Sequence, residues 1–150
     1  MSKPLGIAIL GATGSVGRST LAVIALHPER FRVAVLAASR SWQTVVEQAL
    51  KFQPDTVVLV DAEAAARART ALKEAGSATR VEVGAEALAA AVSGGNVQAV
   101  MAAIVGAAGL PSTLAAVRAG KRVLLANKEA LVMAGSLLMD EVRRAKTESS

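Results

Sequence analysis

Three glycines, Gly11, Gly14 and Gly17, directly follow an apolar stretch of the sequence at residues 5–10. Glycine adopts backbone conformations with positive φ and lets the chain approach a ligand closely. A helix that begins behind such a turn directs its unpaired N–H groups and the positive end of its dipole toward an anion. The spacing G-x-x-G-x-x-G, in this order of strand, turn and helix, predicts that Gly11 and its neighbours bind the phosphate of a nucleotide. The alternative is a purely structural turn.

A second polar group, formed by Ser39, Arg40 and Ser41, follows the next apolar stretch. In a dinucleotide-binding fold, an acidic residue about 20 positions beyond the glycine motif binds the ribose 2′-hydroxyl, whereas a basic residue accommodates a 2′-phosphate. No carboxylate lies in this window, and the planar guanidinium of Arg40 matches the oxygens of a phosphate. The pattern favours NADP(H) over NAD(H), with a solvated arginine between two turn serines as the alternative.

A third group, Asn127, Lys128 and Glu129, follows the last predicted strand. Ligands of open parallel sheets bind outside the carboxyl ends of the strands, so this group belongs to the edge where a ligand is expected. A glutamate in the first turn of a helix is stabilised by the helix dipole, whereas a lysine there is not. The residue types alone leave a functional and a structural interpretation equally open.

Apolar strands alternate with helical patterns along the chain, which is typical of a parallel sheet with crossover helices. The predicted strands are residues 5–10, 31–38, 56–60, 80–83, 97–104 and 122–126. The predicted helices are residues 15–26, 41–52, about 61–75 with Asp61 as the N-cap, 85–92, 109–119 and 127–144. We therefore predict an α/β fold, a doubly wound and mostly parallel sheet that forms one Rossmann-type dinucleotide-binding domain over residues 1–150.

The composition excludes several other classes of protein. A hydrophobic content of 53% and a charged content of 19% exclude a disordered chain. Glycine, proline and charged residues interrupt the apolar stretches, so no membrane span is predicted. The net charge of +5 is spread along a chain with one tryptophan and two phenylalanines, which argues against nucleic-acid binding and suits a small anionic ligand.

The chain has no cysteine and no tyrosine, and its one histidine is His27. Without cysteine or a signal-peptide layout, a cytoplasmic location is the default expectation. A single histidine cannot form a metal site, so His27 is expected to have a structural role at a helix end. Dehydrogenases of the aspartate-semialdehyde type need a cysteine nucleophile, and extended short-chain dehydrogenases need a tyrosine, so both are disfavoured.

Nearly the whole chain resembles the N-terminal domain of the 1-deoxy-D-xylulose 5-phosphate reductoisomerase family. The resemblance rests on GATGSVGRSTL at 11–21, HPERFRV at 27–33, VMAAIVGAAGLPSTLAAVRAGK at 100–121 and LLANKEALV at 124–132. Many reductases share the glycine motif, whereas AAIVGAAGL and LLANKE are specific to this family. The resemblance implies conversion of 1-deoxy-D-xylulose 5-phosphate to 2-C-methyl-D-erythritol 4-phosphate in isoprenoid synthesis, with NADPH, a divalent metal (magnesium, manganese or cobalt) and a homodimeric enzyme.

The resemblance also implies roles for particular residues. The loop of Ser39, Arg40 and Ser41 matches the 2′-phosphate loop, which in family members often reads Gly-Lys-Asn. Lys128 matches a substrate contact, which resolves the open interpretation of its group in favour of function. The other implied residues contact the cofactor. Its pyrophosphate is contacted by Thr13, Gly14, Ser15 and Val16, and other parts of it are contacted by Asn127 and Glu129.

The family's Asp-Ser-Glu metal motif has no match in this chain. Glu148 and the two serines that follow it come too early and lack the leading aspartate. We therefore expect a fragment that binds NADPH without turnover and carries no catalytic or metal-binding residue of its own, with the catalytic and helical domains lying elsewhere. The alternative is a stand-alone NADP-binding or regulatory module, which the reading frame beyond Ser150 would distinguish.

Overall fold

Six parallel strands form a single sheet in the order β4-β3-β2-β1-β5-β6 in a computed structural model that describes residues 4–102 and 115–125. The strands are β1 (Leu5–Leu10), β2 (Phe31–Ala38), β3 (Thr56–Leu59), β4 (Arg80–Val83), β5 (Ala99–Ala102) and β6 (Arg122–Leu125). The helices are α1 (Ser15–Leu26), α2 (Trp42–Phe52), α3 (Ala62–Glu74) and α4 (Ala85–Val92), and residues 115–118 are also helical. The predicted parallel α/β fold is confirmed.

The sheet is doubly wound because α4 crosses to the face opposite α1, α2 and α3. Side chains of β1 alternate between two cores, with Ile7 and Ile9 in one and Ala8 and Leu10 in the other. The first core contains the inner residues of α1, α2 and α3, and the second contains those of α4 together with Ala116. The strand order therefore reverses between β1 and β5, which is the place where open α/β sheets bind ligands.

Most predicted boundaries are confirmed, and three differ for local reasons. Helix α2 begins at Trp42 because Ser41 is its N-cap, and β3 ends at Leu59, ahead of the N-cap Asp61. Strand β5 begins at Ala99 because the N–H of Val97 is used in a turn, where it donates to the Gly94 carbonyl at 3.1 Å. The predicted segments 103–114 and 126–144 lie outside the described residues.

A group of polar side chains around Asp55 lies at the amino ends of the strands. This side of the sheet is here called the amino edge. The Asp55 carboxylate accepts a hydrogen bond at 2.8 Å from Arg32 of β2 and another at 2.7 Å from Asn96. Burial alone would raise the pKa of Asp55, but these hydrogen bonds and the charges of Arg32 and Arg80 outweigh burial and hold that pKa below its ordinary value. This group connects β2, β3 and the turn before β5 on the side opposite the predicted ligand site.

Candidate dinucleotide-binding site

The glycine turn, residues 11–14, leaves β1 at the edge of the sheet where the strands have their carboxyl ends, here called the carboxyl edge. Gly11 has a φ of 83°, which favours glycine over every other residue. The N–H groups of Gly11 and Ala12 both donate to the Ala37 carbonyl of β2 at 2.9 Å. The turn is therefore fastened to the neighbouring strand before the chain enters α1.

The other two glycines of the motif have different structural reasons. A Cβ on Gly17 would lie 2.3 Å from the Gly11 carbonyl oxygen and 2.7 Å from Ala12 Cα, so only glycine lets α1 pack this closely on the turn. Among the described residues, a Cβ on Gly14 would meet only the Gly11 oxygen, at an ordinary 3.6 Å, and Gly14 has an extended backbone with a φ of −79°. The fold thus accounts for Gly17, whereas no close contact among the described residues requires glycine at position 14.

The first turns of α1 and α2 are suited to an anion. Neither helix has a side-chain cap or an acidic residue in its first turn. The first N–H groups of a helix have no intrahelical acceptor, and the dipole makes that end electropositive. The other two described helices differ, since Asp61 caps α3, which also carries Glu63 in its first turn, and Glu86 lies in the first turn of α4. No first-turn carboxylate therefore offsets the dipole of α1 or α2, and both helices begin next to predicted phosphate contacts, which include Thr13, Ser15 and Val16.

The serine-arginine loop, residues 39–41, leaves β2 at the same carboxyl edge. Leu10 of β1 is in register with Ala37 of β2, so the loop and the glycine turn begin side by side. Ser39, Arg40 and Ser41 are all exposed, and Arg40 takes part in neither of the two ion pairs found within residues 4–102 and 115–125. The Ser39 carbonyl accepts from the Asp61 N–H at 3.1 Å, which ties the loop to the start of α3.

One side chain at this edge was not among the predicted site residues. Gln48, in the middle of α2, donates from Nε2 to the Ala12 carbonyl oxygen of the glycine turn at 2.8 Å. In the sequence, Gln48 is only a polar residue next to the apolar residues Val45, Val46 and Ala49. In the structure it is half-buried. Nothing in the spacing of α2 indicates that Gln48 reaches the glycine turn.

Three predicted residues, Asn127, Lys128 and Glu129, lie outside the described residues. The strand before them, β6, is parallel to β5 and ends at Leu125. Within residues 4–102 and 115–125 there is no group of three or more His, Cys, Asp or Glu side chains placed to hold a metal ion. In the same part of the chain no helix is long and apolar enough to span a membrane.

Comparison with known proteins identifies the family. The model of the family described as 1-deoxy-D-xylulose 5-phosphate reductoisomerase matches residues 7–135. The chain belongs to this reductoisomerase family. A reductoisomerase of Burkholderia mallei (strain SAVP1) is 55% identical over 137 residues, which are 91% of this chain and 34% of that protein.

Solved structures of reductoisomerases agree with the fold. The Zymomonas mobilis reductoisomerase in complex with NADPH is 43% identical with a TM-score of 0.78, covering 96% of this chain and 37% of that one. A reductoisomerase in complex with magnesium is 44% identical with a TM-score of 0.79, covering 94% of this chain and 35% of that one. The chain thus spans about a third of the length of the reductoisomerases it matches, and the resemblance expected from the sequence blocks is confirmed.

Proposed function

We propose that the carboxyl edge between the glycine turn and the serine-arginine loop binds NADPH. The observation that carries the proposal is the register of β1 and β2, which sets the two loops side by side, each ahead of an uncapped helix. The glycine turn and the first N–H groups of α1, from Gly11 to Val16, would hold the pyrophosphate. Arg40, flanked by two serine hydroxyls, would bind the 2′-phosphate.

Two features of the structure support this proposal. Among the described residues, no close contact requires glycine at position 14, and the exposed guanidinium of Arg40 has no carboxylate paired to it. Asn127 and Glu129 are proposed as further cofactor contacts, and Lys128 as a substrate contact. Bound NADPH supplies a hydride, and the role of these residues is to bind and orient it.

We further propose that the chain is the cofactor domain of an enzyme that converts 1-deoxy-D-xylulose 5-phosphate to 2-C-methyl-D-erythritol 4-phosphate. A cytoplasmic homodimer that uses magnesium, manganese or cobalt is proposed by the same family relation. The 150-residue chain spans about a third of the matched reductoisomerases, and we propose that this part binds NADPH.

The experiment that tests the cofactor site is a titration with NADPH and NADH, using the unchanged chain and Arg40→Ala. The substitution removes charge-assisted hydrogen bonds to the 2′-phosphate, so NADPH is expected to bind about tenfold to a hundredfold more weakly. NADH lacks that phosphate, and its affinity should stay the same. Calorimetry or the fluorescence of the reduced nicotinamide gives both dissociation constants.

The matched control is Arg67→Ala, which removes another exposed arginine, one that pairs with Glu63 on the same helix, α3. It should leave both affinities unchanged. Equal affinity of the unchanged chain for NADH and NADPH would contradict the assignment of Arg40 to the 2′-phosphate.

A further inference from the structure

Gln48 contacts Ala12, a residue 36 positions away in the chain, and so joins two parts of the carboxyl edge. It belongs to α2, the helix that begins directly behind the serine-arginine loop. Its Nε2 donates to the Ala12 carbonyl oxygen at 2.8 Å, in the glycine turn ahead of α1. The bond therefore links the proposed 2′-phosphate subsite to the proposed pyrophosphate subsite.

Packing of α2 does not explain why this residue is a glutamine. The neighbouring inward residues Val45, Val46 and Ala49 are apolar and buried. The Oε1 atom of Gln48 is buried without a hydrogen-bond partner among the described residues, which is unfavourable for a polar atom. A methionine of similar length would avoid that unsatisfied oxygen. What only the glutamine supplies is the donor to Ala12.

Holding the Ala12 carbonyl sets the orientation of the whole peptide between Ala12 and Thr13. No cis peptide bond occurs in the described residues, and in a trans peptide the C=O and N–H groups point in opposite directions. With the carbonyl oxygen held by Gln48, the N–H of Thr13 faces away from α2. The Ala12 N–H is already bonded to Ala37, so Gln48 completes the fixation of this part of the turn.

We propose that Gln48 is a positioning residue for the cofactor. It fixes the glycine turn relative to α2 and thereby sets the spacing between the pyrophosphate subsite and the 2′-phosphate subsite. A ligand that occupies both subsites depends on Gln48, whereas a ligand confined to the serine-arginine loop does not. This inference rests on the proposed binding of NADPH at the carboxyl edge.

The test compares two ligands on Gln48→Met and Gln48→Glu. NADPH spans both subsites, and adenosine 2′-phosphate probes the loop without a pyrophosphate. We expect NADPH to bind about tenfold more weakly to Gln48→Met, as for the loss of a positioned hydrogen bond, and at least as weakly to Gln48→Glu, whose carboxylate faces the Ala12 carbonyl without a donor. Adenosine 2′-phosphate should bind each variant within about twofold of the unchanged chain, because Arg40 is left in place.

Gln53→Met and Gln53→Glu are the matched controls, since Gln53 is the exposed C-cap at the far end of the same helix. Both should keep the affinity for NADPH. Unchanged NADPH binding in the Gln48 variants, or an equal loss for the two ligands together with a lower Tm, would overturn the inference, because a purely structural role does not discriminate between ligands. Failure of the unchanged chain to bind NADPH would overturn the proposed function and this inference with it.

Discussion

At the scale of single residues, the fold requires two of the three glycines of the motif, for different reasons. Gly11 is needed for its positive φ, and Gly17 because a Cβ would collide with the backbone of the turn. Gly14 has neither restriction. Because Gly14 is a proposed phosphate contact, its substitution tests binding separately from stability.

Gly14→Ser is expected to keep the Tm of the chain or raise it, because serine is a better helix N-cap than glycine and its Cβ has room. Its hydroxyl would bond the first-turn N–H groups of α1 and fill the space for the phosphate. NADPH should therefore bind at least about tenfold more weakly, the loss of one or two hydrogen bonds to a charged group. Thermal unfolding and calorimetric titration of the same sample measure the two effects.

Gly95→Ser is the control for this substitution. Gly95 is exposed, and its backbone is outside the left-handed region. Within residues 4–102 and 115–125, a Cβ added to it would meet no atom within 4 Å beyond its chain neighbours. Neither Tm nor NADPH affinity should change. A Gly14→Ser chain that binds NADPH as tightly as the unchanged chain would show that the turn does not hold the phosphate.

At the scale of elements, the two edges of the sheet have separate roles. The carboxyl edge collects exposed polar loops and uncapped helices, whereas the amino edge is closed by the hydrogen bonds of Asp55 with Arg32 and Asn96. The amino edge is therefore expected to govern stability without affecting the cofactor.

The stabilisation supplied by Asp55 should depend on pH. Because folding lowers the pKa of this carboxyl from its ordinary 3.8, its contribution is fully present above that value and is lost as the pH falls through the lower pKa of the folded state. Asp55→Asn should therefore destabilise the chain at neutral pH, and the difference from the unchanged chain should shrink at pH values below about 4. Urea unfolding at a series of pH values measures the difference in unfolding free energy.

Arg32→Ala supplies the control for this prediction, since it removes the partner at 2.8 Å from Asp55. In that background the effect of Asp55→Asn should be smaller at neutral pH, as a double-mutant cycle would show. A difference between Asp55→Asn and the unchanged chain that grows as the pH falls would contradict the assigned sign of the pKa shift.

At the scale of the whole molecule, NADPH should stabilise the fold because its two proposed subsites, on the loops that follow β1 and β2, come together only in the folded chain. NADPH at about 100 times its dissociation constant adds about 2.7 kcal/mol to the free energy of unfolding. For a chain of this size, that corresponds to a rise in Tm of roughly 5–10 °C. NADH at the same concentration should raise the Tm less, and scanning calorimetry would record both values.

Arg40→Ala is the control at this scale too. In that variant NADPH and NADH should raise the Tm by similar amounts, because the guanidinium proposed to bind the 2′-phosphate has been removed. Equal shifts for the two cofactors in the unchanged chain would contradict the preference for the 2′-phosphate.

The amino-acid sequence by itself determined the order and type of the described elements, and it predicted the edge at which a ligand binds and the class of that ligand. These follow from local apolar periodicity, from the glycine spacing at 11–17 and from the rule that parallel strands share a carboxyl edge. The family also followed from the sequence, because blocks such as LLANKEALV at 124–132 are specific to it. The roles of Asn127, Lys128 and Glu129 stay predictions, since they lie outside the described residues.

Only the tertiary structure decided the strand order, with β1 between β2 and β5, and the contacts that join distant segments. No periodic pattern in the sequence predicts the hydrogen bond from Gln48 to Ala12 or the hydrogen bonds around Asp55. Each depends on how the helices and loops around the sheet come to lie against one another, and that relation is set by packing across the whole chain. Local patterns determine what each segment is, and the packed sheet determines which residues meet.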